Sequence, residues 1–310
     1  NYNDNDPRLS FLFGKINKKQ KNYPEAIKLF EKSINQGSYD SMNELALMFY
    51  KGEGCTKDVD KAIEMFKTAY ENGQKNAMYN YAKILDDKLD KEESCKLYKT
   101  AAFLGDLNAM NTYGLMLINQ KNIEEGLKLI KEAAEKGHVN AMNNYGWFLS
   151  NGISCQQNEQ EACFYFKAAA DQGEINAMYN YATMLEHGNG TEINLDEALK
   201  LYKLAADKGQ VNAMYKYARM LDNTDLKKTR NDYYKMAAEG GNLNSMFVYS
   251  EILEEGDEEN GIQPNQEKSF EYLKKAADGG QIDAICILAF LYETGNDFVS
   301  SNLKESIRYY

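Results

Sequence analysis

Two histidines, five cysteines and one dense carboxylate run are the residues of this 310-residue chain best equipped for chemistry. His138 and His187 stand far apart, and neither has cysteines at the spacing a zinc site needs, so both read as surface histidines. Cys55, Cys95, Cys155, Cys163 and Cys286 are odd in number and irregular in spacing. They read as reduced thiols of an intracellular compartment, which favours the cytoplasm. The glycine pairs in Gly52-Glu53-Gly54 and Gly188-Asn189-Gly190 follow helical patterns and lack a phosphate-binding lysine. The acidic run from Glu254 to Asn260 lacks the alternating ligand spacing of a calcium loop and reads as a solvated, mobile loop. The sequon Asn189-Gly190-Thr191 matters only in a secreted or luminal setting. The expectation is a chain without catalytic centre, metal or cofactor.

The elements that carry these residues are set by a repeat. A small residue followed by Met or Ile recurs at Ser41, Ala77, Ala109, Ala141, Ala177, Ala213, Ser245 and Ala284. The steps between them are 36, 32, 32, 36, 36, 32 and 39 residues, the length of one helix pair. Each unit reads as a first helix (A), a polar loop and a second helix (B). The B helices end at Gly37, Gly73, Gly105, Gly137, Gly173, Gly209, Gly240 and Gly279, each placed to cap in the left-handed conformation. One unit cannot bury its own apolar face, so stacking must build the core. The expectation is all-α: residues 1–6 frayed, then a single array over 7–310 with eight helix pairs and a truncated ninth. Pro7 suits a first helical turn.

A helical wheel puts Ala177, Met178, Tyr181, Ala182, Met184 and Leu185 on the buried arc of an A helix. The recurring methionines fall on that arc too. Asn176, Tyr179, Asn180, Thr183 and Glu186 fall outside it. On the B helix, Ala198, Tyr202, Ala205 and Ala206 face inward, while Lys200 and Lys203 face away.

The run G-x-G-x-x-x-D-x-x-K-A from Gly52 to Ala62, and the stretch from Asp196 to Met214, resemble the Sel-one-like repeat family, a relative of the tetratricopeptide repeats. The resemblance spans roughly residues 24–310. It implies a right-handed superhelix with A helices lining the concave side, and a scaffold or adaptor role. The per-repeat disulfide of some secreted members is not implied here, because the cysteines do not recur.

Function then rests on the outward arc of the A helices. Tyr79, Tyr179, Tyr215 and Phe247 stand two places after the marker, and Lys83, Trp147 and Arg219 four places further on. Aromatic and Arg side chains anchor interfaces; alternatively, the rings pack against a neighbouring repeat. The asparagine before six of the markers, including Asn176 and Asn212, with Asp40 and Asp283 in the other two places, is either a helix N-cap or a rung that hydrogen-bonds an extended peptide. The partner expected is a protein or peptide segment, received in the concave groove that the A helices line. The net charge of −11 argues against nucleic acid, and no run is apolar enough for membrane insertion. Two other readings stay open: the repeat portion of a larger enzyme or of a membrane-associated quality-control protein, and an assembly element that uses the convex B-helix face.

Overall fold

A computed structural model describes residues 6–87, 90–153, 156–222, 224–296 and 298–310. Residues 1–5, expected to fray, and Cys155 lie outside the described residues. Among the described residues there are eighteen α helices and no strand, apart from one isolated bridge between Asp257 and Ile262. All the helices are 13 residues long except α13 and α18. The chain is all-α, in the solenoid class of stacked helix pairs.

It divides into two compact units, Asn1–Tyr145 and Gly146–Tyr310. The first contains α1 (Pro7–Lys19), α2 (Tyr23–Asn35), α3 (Tyr39–Lys51), α4 (Val59–Glu71), α5 (Lys75–Asp87), α6 (Lys91–Phe103), α7 (Leu107–Asn119) and α8 (Ile123–Glu135). The division falls within α9 (Val139–Asn151). The second contains α10 (Glu159–Asp171), α11 (Ile175–His187), α12 (Leu195–Asp207), α13 (Val211–Met220), α14 (Lys227–Glu239), α15 (Leu243–Glu255), α16 (Gln266–Asp278), α17 (Ile282–Thr294) and α18 (Leu303–Tyr309).

Odd-numbered helices are the A helices and even-numbered ones the B helices. In the first unit Ala46, Ala62, Phe66, Ala69, Ala77 and Ile84 form one buried cluster; alanines let backbones approach so that Phe66 fills the gap. In the second, Leu273, Ala276, Ala277, Ala284 and Leu288 do the same. The arc assigned to α11 is buried except at Tyr181, which is half-buried, and Ala198, Tyr202, Ala205 and Ala206 of α12 are buried.

Pro7 opens α1, and Asp6, expected to fray, caps it by accepting from the Arg8 N–H at 2.8 Å. Six of the eight B-helix glycines take positive φ as expected. In α14 and α16 that role passes to the next residue, Gly241 (φ 97°) or Gly280 (φ 95°). Gly240 and Gly279 stay right-handed at these ends, where a Cβ would press on Val211 or Leu243. The loop before α16 holds a 3-10 turn, Glu258–Asn260. It is tied back by Asn231 Nδ2 donating to Asp257 Oδ2 at 2.7 Å.

Candidate functional site

The A helices are positioned by a repeated device at their first turn. The side chain three residues before each marker accepts a hydrogen bond from the marker's backbone N–H. The acceptors are Ser38, Gln74, Asp106, His138, Glu174, Gln210, Asn242 and Gln281. A side-chain acceptor here satisfies an N–H with no partner inside the helix. The asparagines before the markers are therefore not the caps: Asn176 and Asn212 are the second residues of α11 and α13. The N-cap role belongs two places earlier.

Residues just before the marker, Asn212, Asn108 and Asp40, accept from the next cap instead. Asn242 Nδ2 donates to Asn212 Oδ1 at 3.0 Å, and Gln74 Nε2 donates to Asp40 Oδ1 at 3.0 Å. His138 Nε2 meets Asn108 Oδ1 at 3.1 Å. His138 Nδ1 accepts the Ala141 N–H at 3.2 Å, so the proton resides on Nε2. One polar side chain thus caps its own helix and grips the preceding hairpin. His138 is part of this frame, not a surface histidine, and burial pushes its pKa below the ordinary value against a weaker upward pull from Asp106. Asn176 is exposed and donates to Glu174 at 3.2 Å.

A second layer lies along the arc predicted to face outward. Tyr79, Tyr179 and Tyr215 are half-buried, and their rings tilt against Tyr98, Tyr202 and Tyr234 at 5.6, 5.8 and 6.2 Å. The packing partner is the B helix of the same hairpin. Phe247 is half-buried against the cluster around Leu273.

The three B-helix tyrosines are buried, and burial above all raises their pKa values, with neighbouring acids adding to it. Tyr202 Oη donates to Glu186 Oε2 at 2.7 Å, and Tyr234 Oη to Asp222 at 3.0 Å. Asp86 is among the acids that act on Tyr98. Asp86, Glu186 and Asp222 each stand nine places after their marker. The hairpins that follow Ser41 and Ala141 carry Phe66 and Phe166 in place of the tyrosine, and Tyr50 and Ser150 in place of the acid. A buried hydroxyl needs an acceptor, and a ring without one does not. The hairpin that follows Ser245 keeps an acid, Glu254, opposite Leu273, so the pairing is confined to the hairpins of Tyr98, Tyr202 and Tyr234; the wheel assigned Glu186 outward.

Glu186 gathers most of these contacts. It accepts from Tyr202, from Lys216 Nζ at 2.9 Å and from Arg219 at 2.7 Å. Burial alone would raise its pKa; the hydrogen bonds from Tyr202 and Lys216 and the lysine's charge together hold it below the ordinary range. Arg219, expected to pair with a partner's acid, is already paired within the chain. Lys83 is exposed on α5.

Trp147, on α9, is 46% exposed, with its ring set edge-on to buried Phe148 at 5.2 Å. Phe290 takes the same repeat position on α17 and is 58% exposed. Sequence reasoning did not single out Phe290, although its place six residues after Ala284 matched that of Trp147. Among the described residues no cluster of three or more His, Cys, Asp or Glu is arranged to hold a metal. Cys163 is buried, which raises its thiol pKa.

Hairpins of near-constant length, capped at one recurring position by a side chain, define a helical repeat protein. The chain belongs to the Sel1 repeat family: the Sel1 repeat model matches residues 8–38, 40–74, 100–138, 139–174, 175–210, 232–242, 243–281 and 282–310. Sel1 repeat proteins typically act as protein-interaction scaffolds and are generally non-enzymatic.

One similar solved structure is a protective antigen present in uropathogenic Escherichia coli strains, displaying an SLR fold. It is 21% identical, with a TM-score of 0.71 over 98% of this chain and 68% of that one. A Sel1 repeat protein from Oxalobacter formigenes is 20% identical, with a TM-score of 0.62 over 93% of this chain and 87% of that one. The human IFIT1 dimer with PPP-AAAA is 17% identical, with a TM-score of 0.51 over 98% of this chain and 71% of that one. No curated protein matches the chain by sequence.

Proposed function

We propose that the chain is a non-enzymatic scaffold that binds a protein or peptide segment through the A-helix face of its second unit. The observation that carries this reading is the exposure of Trp147 and Phe290 at one repeat position. A large aromatic ring left in water at a recurrent place is a ready anchor, because burying it in a complex removes its apolar surface from solvent. Tyr179, Tyr215 and Phe247 supply half-buried rings beside that position, and Asn176 and Asn212 supply polar groups at the helix starts. In the first unit, Tyr79 and Lys83 are the corresponding pair, with Lys83 available to a carboxylate. Arg219 serves mainly to fix Glu186.

The acidic balance argues against nucleic acid as the partner, since phosphate binding draws on clustered Lys and Arg. No described helix is long and apolar enough to cross a membrane. The test is selection of a random-peptide display library on the full chain. A group of the selected peptides is expected to lose about tenfold in affinity or more when Trp147→Ala is introduced, with the melting temperature unchanged. Equal affinity for wild type and variant would count against the reading.

A further inference from the structure

The charge on the A helices changes along the second unit, and the change selects the kind of partner. On α13 two bases, Lys216 and Arg219, are both bound to Glu186. The next A helix, α15, carries Glu251, Glu254 and Glu255 and no Lys, Arg or His. After it, α17 carries Asp283 and Glu293, again with no base. Every other A helix has either no charged residue or at least one Lys, Arg or His. Helix packing does not ask for this bias, because Lys83 and Arg219 stand in their own hairpins where Glu251 stands here.

Asp283, Ile287 and Phe290 lie at i, i+4 and i+7, so they share one stripe of α17, on which Ile287 and Phe290 are both exposed. The matching stripe of α15 is Phe247, Glu251 and Glu255. The two stripes act on each other: partial burial first, then the charges of Glu255, Glu254 and Asp283, push the Glu251 pKa above its ordinary value. Glu251, Glu254 and Glu255 are exposed, and none of them pairs with a base among the described residues. Beside α15, a cavity of about 760 Å³ has Lys227 and Arg230 in its lining, against these three glutamates with Asp222 and Asp257. Arg230 is already engaged, donating to Asn231 Oδ1 at 3.0 Å and facing Asp222 at 3.9 Å. Two bases against five carboxylates leave that flank at a net charge of −3. The apolar surface of Ile287 and Phe290 is therefore set in an uncompensated negative field.

We infer that the α15–α17 end of the A-helix face takes a segment of a protein partner in which Lys or Arg stands next to a large apolar side chain. The inference rests on the A-helix reading proposed above and supplies the partner's charge. The apolar side chain covers Ile287 and Phe290, and the cation lies over Glu251, Glu254 and Glu255, where it offsets the repulsion among them. Apolar anchors supply most of the affinity of such contacts, and complementary charge sets partner choice and register. Attraction between exposed charges weakens as salt rises, a signature that an apolar anchor alone lacks.

The test uses the full chain and a random-peptide display library. Peptides that lose at least about tenfold in affinity on Phe290→Ala are expected to carry Lys or Arg beside an aromatic or large aliphatic residue. The same peptides are expected to lose at least about fivefold on the triple variant Glu251→Gln, Glu254→Gln, Glu255→Gln, and to bind wild type more weakly as salt rises. The triple variant breaks no pair with a base, so its melting temperature is expected to equal or exceed that of wild type. The inference is overturned, and the A-helix reading stands, if the peptides that respond to Phe290→Ala show no preference for Lys or Arg or keep their affinity for the triple variant. The same holds if peptides respond to Trp147→Ala and none to Phe290→Ala. No response to either aromatic variant overturns both. A dimer in sedimentation that the triple variant abolishes also overturns the inference, because a second copy is then the occupant.

Discussion

Glu186 of α11 accepts a hydrogen bond from Lys216 of α13 at 2.9 Å, and both side chains are largely enclosed, 11% and 14% exposed. This joins one hairpin to the next at the point where Tyr202 and Arg219 also reach the same carboxylate. Removing the acid leaves the enclosed ammonium without this acceptor and the buried Tyr202 hydroxyl with only Thr183 Oγ1, 3.0 Å away. Glu186→Ala is therefore expected to cost on the order of 2 kcal/mol. Tyr202→Phe is expected to cost about 1 kcal/mol alone and less in the Glu186→Ala background. Urea unfolding of the two single variants and the double variant measures this; additive costs would contradict it.

The Glu186 carboxyl is held below the usual range, so the unfolded chain takes up this proton more readily than the folded one. Its stabilising contribution is complete above the unfolded-state pKa of about 4.3 and is lost as pH falls through the lower folded-state value. Acid unfolding of the Glu186→Gln variant is expected to show a weaker pH dependence than wild type over that window.

His138 supplies a second pH-sensitive joint. Protonating Nδ1 would break its bond from the Ala141 N–H, and burial already favours the neutral ring. The folded-state pKa is depressed, so stability falls as pH drops below the unfolded-state value of about 6.5, until the folded ring itself protonates. His138→Asn places the residue found at Asn242, which makes both the cap and the inter-hairpin bond. That variant is expected to lose less in melting temperature than wild type between about pH 7 and about pH 5. An unchanged slope would remove His138 from the account.

Gly209 has a φ of 94° and open space around its missing Cβ. Gly209→Ala therefore costs backbone strain and creates no clash, about 1 kcal/mol. Gly240→Ala is also expected to destabilise, by pressing on Val211 with the backbone relaxed. Fitting a smaller residue at Val211 should rescue Gly240→Ala and leave Gly209→Ala unrescued.

The hairpins were legible because their signals are local. A small residue before Met, paired alanines before a glycine and a period of 32 to 39 residues mark where helices begin, touch and stop. The buried arcs of α11 and α12 followed from the same wheel. What the wheel could not supply was the third dimension between hairpins. Glu186 points away from its own helix's apolar stripe, yet the next A helix covers it. The first-turn asparagines were the commonest capping residue type, yet the cap lies two residues earlier, in types as varied as Ser38, His138 and Gln210. The acids nine places after the markers of the hairpins that carry Tyr98, Tyr202 and Tyr234 were a sequence cue to the enclosed acids.

The central claim is that the A-helix face around Trp147 is where a partner lies. Trp147 is the single tryptophan of the chain, so its fluorescence reports on that face alone. Acrylamide quenching of the full chain, with and without a bound library-selected peptide, is the direct measurement. The account predicts a blue-shifted emission and protection from quenching in the complex. Emission and quenching identical in the free and bound chain would place the partner elsewhere and contradict it.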